Sequence, residues 1–246
     1  MMAMADCSGR AEYQISVPAI LDKLSIDWGS WRGKRVAIKP NLVCHNAHPL
    51  TTDPMLVATL AEQIHERCEK VDIFVIEGAP FGTTQMYVRH GYTSLPYQLI
   101  DIDTCGCYYD SKIEDSVLPV VQLPLALKDA ILVSCAVLKE HSEAVVTACV
   151  KNLVGIVPSG NWSTNGLWKN RLHDIGINPV IKALYKHRPI DLAVLDASIG
   201  VRDNETNGTP CNPPLGKMLI GDDAIEVDKA GAKLLGIDPT TVIYLN

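Results

Sequence analysis

The chain has 246 residues, of which 47% are hydrophobic and 20% charged, and its formal net charge is −6. A chain of this length buries roughly three quarters of its unfolded surface in one large domain and needs no disulfide or metal to fold. Its apolar content excludes a disordered polymer, and the lack of basic excess argues against a nucleic-acid partner.

The N-terminal "MMAMADCSGR" has no charged segment followed by an apolar run, so it does not read as a signal peptide. "KRVAIKPNLV" reads as a strand that ends in a proline-bent loop. "DPMLVATLAEQIHERCEK" has helical spacing, with Asp53 as N-cap and Pro54 in the first turn. "KVDIFVIEGAP" is a continuous apolar strand, "TTQMYVRHGY" a short helix, and "YQLIDID" and "DAILVSCAVLK" further strands. "VLPVVQLPLALKDAILVSCAVLK" is interrupted by two prolines, Lys128 and Asp129, so it is not a membrane span. No membrane partner and a cytoplasmic location are therefore expected.

"KEHSEAVVTACVKNLVG", residues 139–155, reads as a helix with Ser142 as N-cap. On it Glu143, Thr147 and Lys151 would share one face, with Ala144, Ala148 and Asn152 beside them. Residues 158–174 form a long irregular segment, and 158–178 is a candidate lid or insertion. "NPVIKALYKHR" is helical, "DLAVLDASIG" and "KMLIGDD" are strands, "DDAIEVDKAGAKLLG" is a helix and "TTVIYL" a last strand. Strands that are apolar throughout and alternate with helices predict one α/β domain over 1–246, with a mostly parallel sheet and helices on both faces.

In such sheets, ligands bind where strands end at their carboxyl side. Four strand exits carry chemistry: Lys39 and Asn41; Glu77; Lys139 and His141; and Asp196. Lys139 and His141 at a helix N-terminus would make a cationic rim suited to a carboxylate or phosphate. Asp223 and Glu226 have capping-box spacing, which leaves Asp222 and Asp228 to bind substrate or orient a lysine.

Eight cysteines include no CxxC pair and no ferredoxin-type run. Cys68, Cys135 and Cys149 read as core residues, whereas Cys105 and Cys107 in "TCGC" form a candidate metal or redox pair. Cys44, His45 and His48 in "CHNAHP" also offer sulfur and nitrogen ligands. Neither a Walker A nor a GxGxxG pattern is present, so no NAD or ATP motif is found; a metal ion or iron–sulfur cluster stays open.

The ordered set "VAIKPNLV", "TDP", "EG", "GY", "LKEHSEAVVTACVKNLVG", His173, "LDASIG", "PLGK" and "GDDAIEVDKAGAKLLGIDP" resembles the domain of unknown function 362 family over residues 35–245. The resemblance implies an α/β domain of uncharacterised activity. Many members append a ferredoxin-like domain with iron–sulfur clusters, and this chain is expected to be without it. The Lys-x-His and Lys-Asn-x-x-Gly elements are also distantly similar to nickel-pincer lactate racemases, with their lysine-tethered cofactor and histidine ligand. That similarity nominates Lys139, His141, Lys151 and His173 for one catalytic site, and the strand exits and the acidic segment add Lys39, Asn41, Asn152, Asp222 and Asp228 as substrate-binding. The expected function is an enzyme acting on a small anionic substrate through this Lys/His site. The alternative is a non-catalytic redox or metal-handling protein working with a separate ferredoxin-like, iron–sulfur partner.

Overall fold

The computed structural model describes residues 1–111 and 117–246. In chain order the elements are β1 (Met2–Asp6), α1 (Tyr13–Leu21), β2 (Arg35–Lys39), α2 (Pro54–Arg67), β3 (Asp72–Glu77), α3 (Thr83–Arg89), β4 (Gln98–Asp101), β5 (Cys107–Asp110) and β6 (Val121–Pro124). There follow β7 (Ile131–His141), β8 (Val145–Thr147), α4 (Asn170–Ile175), α5 (Ile177–His187), β9 (Leu192–Arg202), β10 (Thr209–Pro210), β11 (Lys217–Gly221) and α6 (Ala224–Leu234). The main sheet has the order β1-β11-β9-β7-β2-β3-β4, with β10 added to β9 and β8 to β7. Strands β9, β7, β2, β3 and β4 are parallel neighbours, and β11 and β1 extend the sheet antiparallel.

The apolar strands are explained by their two buried faces. In β2, Ala37 packs with the core under α5 and α6, while Val36 and Ile38 pack under α1 and α2. In β9, Ala193, Leu195 and Ala197 take the first face, and Leu192 and Val194 the second. Asp53 caps α2 through a 2.8 Å bond from Met55 N, with Pro54 in the first turn, as its sequence implies. Asp223 caps α6, but Glu226 pairs with Lys229 at 3.0 Å, so the cap is one-sided.

Two readings are corrected and one feature is added. Residues 139–155 are not a helix: β7 runs on to His141, turns back as β8, and residues Lys151–Ile156 form a 3₁₀ helix. The β-branched run Val145, Val146 and Thr147 pairs with His141, Glu140 and Lys139, so strand pairing overrides the apolar periodicity. Its cost is a left-handed backbone at Val145 (φ 68°), a rare conformation for a β-branched residue. Second, "TTVIYL" folds as two 3₁₀ turns, Pro239–Thr241 and Ile243–Leu245, rather than a strand. The added feature is that the N-terminus supplies edge strand β1, and β5 with β6 forms a separate two-stranded sheet. Among the described residues, no helix is long and apolar enough to cross a membrane.

Candidate functional site: a lysine-lined cleft at the strand exits

Because β2 and β3 run side by side, their last residues, Lys39 and Glu77, emerge at the same rim. Lys39 Nζ donates to Glu77 Oε1 at 2.7 Å, to Pro40 O at 2.9 Å and to Asn152 Oδ1 at 3.1 Å. Glu77 also accepts from Gly78 N at 2.8 Å and Leu42 N at 3.1 Å. Asn152, from the 3₁₀ helix, returns its amide to Lys39 O and Ser134 Oγ, both at 3.1 Å. The group is buried, and burial is the leading influence lowering the Lys39 pKa, against the opposing charge of Glu77. Gly155 makes this approach possible, since a Cβ there would lie 2.4 Å from both Lys39 Nζ and Glu77 Oε1.

Lys139 extends the network. Its amine donates to Asn41 Oδ1 at 3.0 Å and to the carbonyls of Leu50 and Glu205 at 2.8 Å each. Asn41 in turn donates to Asn152 Oδ1 at 3.3 Å. Burial pulls the Lys139 pKa down to about 7. Lys169 is buried too, donating to Val154 O at 2.8 Å with its Nζ 4.2 Å from the centre of the Trp168 ring. Burial likewise lowers its pKa to about 7.

Beside this network opens a cleft of about 370 Å³, lined by Lys39, Asn41, Glu77, Thr147, Lys151, Asn152 and Trp168 among others. Lys151 stands apart from the other lysines. Among the described residues its amine makes no hydrogen bond and no ion pair, and burial lowers its pKa to about 8, with Glu205 and Glu143 acting in the opposite direction. Two more cleft-lining polar atoms, Thr147 Oγ1 and Trp168 Nε1, are buried without a partner. Buried polar atoms almost always have partners. Thr147 and Trp168 thus each bring a buried, unfilled polar atom to the residues lining the cleft, and the half-buried Lys151 brings an unpaired amine. The indole N–H can only donate, so the atom meeting it must be an acceptor.

His141 is a turn cap rather than part of the cleft wall. Its Nδ1 accepts from Glu143 N at 3.0 Å and Ala144 N at 3.1 Å, which places the ring proton on Nε2, 3.6 Å from Glu205 Oε1. Burial, then the charge of Lys151, drives its pKa down to about 2, so the ring is neutral. His173, half-buried on α4, bonds Glu143 Oε2 at 2.9 Å and does not line the cleft. The Lys139 amine thus has three acceptors and His141 Nδ1 two donors, while His141 Nε2 has no partner within hydrogen-bond distance among the described residues.

Asp222 lies outside the cleft: it is exposed at the opposite end of β11 and pairs with the N-terminal amine. Asp228 is also removed from it. Its fully buried carboxyl accepts from Cys149 N and Val150 N, at 2.8 Å each, and burial raises its pKa to about 7. It holds the turn that leads directly into Lys151. Cys105 and Cys107 line a separate surface cleft with Asp103, Gln122 and Asn161. Burial pushes the Cys105 thiol to about 11 and raises that of Cys107. His45 stacks on Phe81 while His48 bonds Asp196 at 3.0 Å, so "CHNAHP" does not converge on one ion. Among the described residues, no three His, Cys, Asp or Glu side chains are grouped for metal binding.

Lys39, Asn41, Lys139, Lys151 and Asn152, all expected at the site from the sequence, are brought together by the fold. Glu77 and Thr147 join them although the sequence did not assign them there, as do Trp168 and, behind the wall, Lys169. The available signal was a Trp-Lys pair inside the long irregular segment.

The chain matches the family model described as "Domain of unknown function (DUF362)" over residues 36–233. It is 28% identical over 222 residues to a thylakoid-associated protein of Synechocystis sp., covering 85% of this chain and 65% of that protein. Its fold is similar to the lactate racemase apoprotein of Thermoanaerobacterium thermosaccharolyticum, with a TM-score of 0.59 at 11% identity, covering 94% of this chain and 56% of the other. The chain therefore spans less than two thirds of the length of both proteins, and the second likeness is one of fold alone. The family match takes in the strand exits, the cleft and α6, and by it the chain belongs to the DUF362 family.

Proposed function

We propose that the chain binds a small monoanionic substrate, a carboxylate in the first instance, in the cleft beside Lys151, and acts on it by proton transfer. The carrying observation is the trio of unpartnered polar groups, Thr147 Oγ1, Lys151 Nζ and Trp168 Nε1. All three can donate, and a carboxylate offers about four acceptor sites on two oxygens. Charge balance favours a monoanion. Lys39 is neutralised by Glu77, whereas Lys151 has no carboxylate within ion-pair distance among the described residues.

With a pKa near 8, Lys151 is mostly an ammonium at neutral pH and close enough to neutrality to release its proton. It would hold a substrate oxygen and pass a proton to it as negative charge develops there, a general-acid role. Lys39, Glu77 and Asn152 would fix the wall behind it. Titration calorimetry with acetate, lactate, pyruvate and inorganic phosphate tests the reading. Saturable binding of a carboxylate, at least about tenfold weaker in Lys151→Met, is expected. Equal binding by the variant would remove Lys151 from the site. The enzymatic part is tested by following the bound carboxylate by NMR: slow chemical change with the wild-type chain and none with Lys151→Met is expected.

A further inference from the structure

The other face of the sheet carries a second polar centre. Alternation along β9 sends Asp196 to the same side as Val194, under α1, whereas Lys39 emerges on the side of Ala37. Asp196 is buried and accepts from Tyr13 OH at 2.6 Å, His48 Nε2 at 3.0 Å and Ser198 N at 2.8 Å. Burial works to raise its pKa, but the bonds from His48, Ser198 and Tyr13 outweigh it and hold the carboxyl below the usual range. The reciprocal effect overcomes the desolvation of His48 and raises that ring's pKa.

Asp196 thereby pins one nitrogen of His48. The other, Nδ1, has no partner among the described residues, and the ring lines a cleft of about 760 Å³ together with Arg10, Asp53, Arg89 and His90. The hydroxyls around it are spent on backbone carbonyls: Thr51 on Asn46, Thr52 on Cys135 and Ser94 on Gly91. Arg10 is exposed, with only Asp53 at 3.9 Å, and Arg89 uses its Nε alone, on His45 O. His90 donates Nε2 to Cys44 O, and burial first, then the charges of Arg89 and His45, lowers its pKa. Asp53 spends one oxygen on its helix cap. What remains for the cleft is two guanidinium ends, the second oxygen of Asp53 beside Arg10, and His48 Nδ1, which donates when the ring is protonated, the form that Asp196 favours.

We propose that this cleft is a second anion site, in which His48, Arg10 and Arg89 bind the phosphate group of a small molecule. The donors come from three chain segments, before α1, before α2 and at the end of α3. That spread suits the divergent oxygens of a tetrahedral anion better than a planar carboxylate, and guanidinium forks match phosphate geometry. The two clefts share no lining residue. The site is therefore independent of the proposed substrate cleft. The segment 40–53 runs between them, with Asn41 in one wall and His48 in the other.

The test is NMR of the histidine ring protons on the full chain, with the His48 signal assigned through His48→Gln. Inorganic phosphate is titrated in at neutral pH, with ionic strength held by chloride. A saturable shift of the His48 signal is expected, at least about tenfold weaker in Arg10→Met/Arg89→Met and unchanged in Lys151→Met. Both arginines reach the surface, so that variant should fold, which circular dichroism checks. No saturable shift, an equal shift with chloride alone, or an equal shift in the double-arginine variant would overturn the proposal. Loss of the shift in Lys151→Met would also overturn it, by assigning the phosphate to the other cleft.

Discussion

Two lysine environments sit side by side at the strand exits and differ in one respect. Around Lys39 and Lys139 every amine proton has an acceptor, and the buried charge of Lys39 meets that of Glu77. Around Lys151, the amine, the Thr147 hydroxyl and the Trp168 indole have no partners among the described residues. A satisfied buried network specifies structure, whereas an unsatisfied one is costly alone and is completed by a ligand. The first is the scaffold, and the second is where the proposed carboxylate would bind.

Breaking the scaffold should have the largest effect. Lys39→Met leaves Glu77 buried and unpaired, so a loss of about 3–5 kcal/mol is expected, read by chemical denaturation. Gly155→Ala drives a methyl into the same ion pair, and overpacking of this kind costs about 1–3 kcal/mol. A Gly155→Ala protein of wild-type stability would mean the pair is looser than its distances indicate. Asp228→Asn replaces one of two carboxylate oxygens with a donor facing a backbone N–H. An unmet buried donor costs about 1–3 kcal/mol, and misplacement of the 149–151 turn should weaken carboxylate binding as well.

Lys151→Met sharpens the contrast from the other side. Since burial depresses the native pKa of Lys151, the folded chain gives up that proton more readily than the unfolded one. This contribution to stability rises as pH goes from about 8 toward the ordinary lysine value of about 10.4, and is unfavourable below that window. Removing the amine should therefore leave stability at pH 7 unchanged or slightly higher, while carboxylate binding is lost. In the wild-type chain, binding should hold up to about pH 8 and then weaken about tenfold per unit as the ammonium deprotonates. Binding that strengthens above pH 8 would exclude the ammonium as the anion's partner.

The same contrast marks what could be read in the sequence. The parallel core strands were legible because burial on both faces makes them apolar throughout. Lys39, Asn41 and Glu77 were legible because strand exits in parallel sheets share a rim. The β7–β8 hairpin was not, because "SEAVVTACV" satisfies helical periodicity, and only pairing with the extended β7 selects the strand. Asp222 and Asp228 looked equivalent, yet one faces solvent beside the N-terminus and the other is sealed under the 149–151 turn. Trp168 reaches the cleft, and Lys169 the carbonyl of Val154 behind it, by a return of the long irregular segment in which the Trp-Lys pair was the sole cue.

The most direct test is the Trp168 indole Nε1–H signal in an NMR spectrum, assigned through Trp168→Phe and followed as acetate, lactate and pyruvate are added. The account predicts a saturable downfield shift with at least one carboxylate as the unpartnered donor gains an acceptor, and its loss in Lys151→Met. A Trp168 signal that stays fixed while a carboxylate binds elsewhere on the chain would contradict the central claim that the unpartnered groups form the binding site.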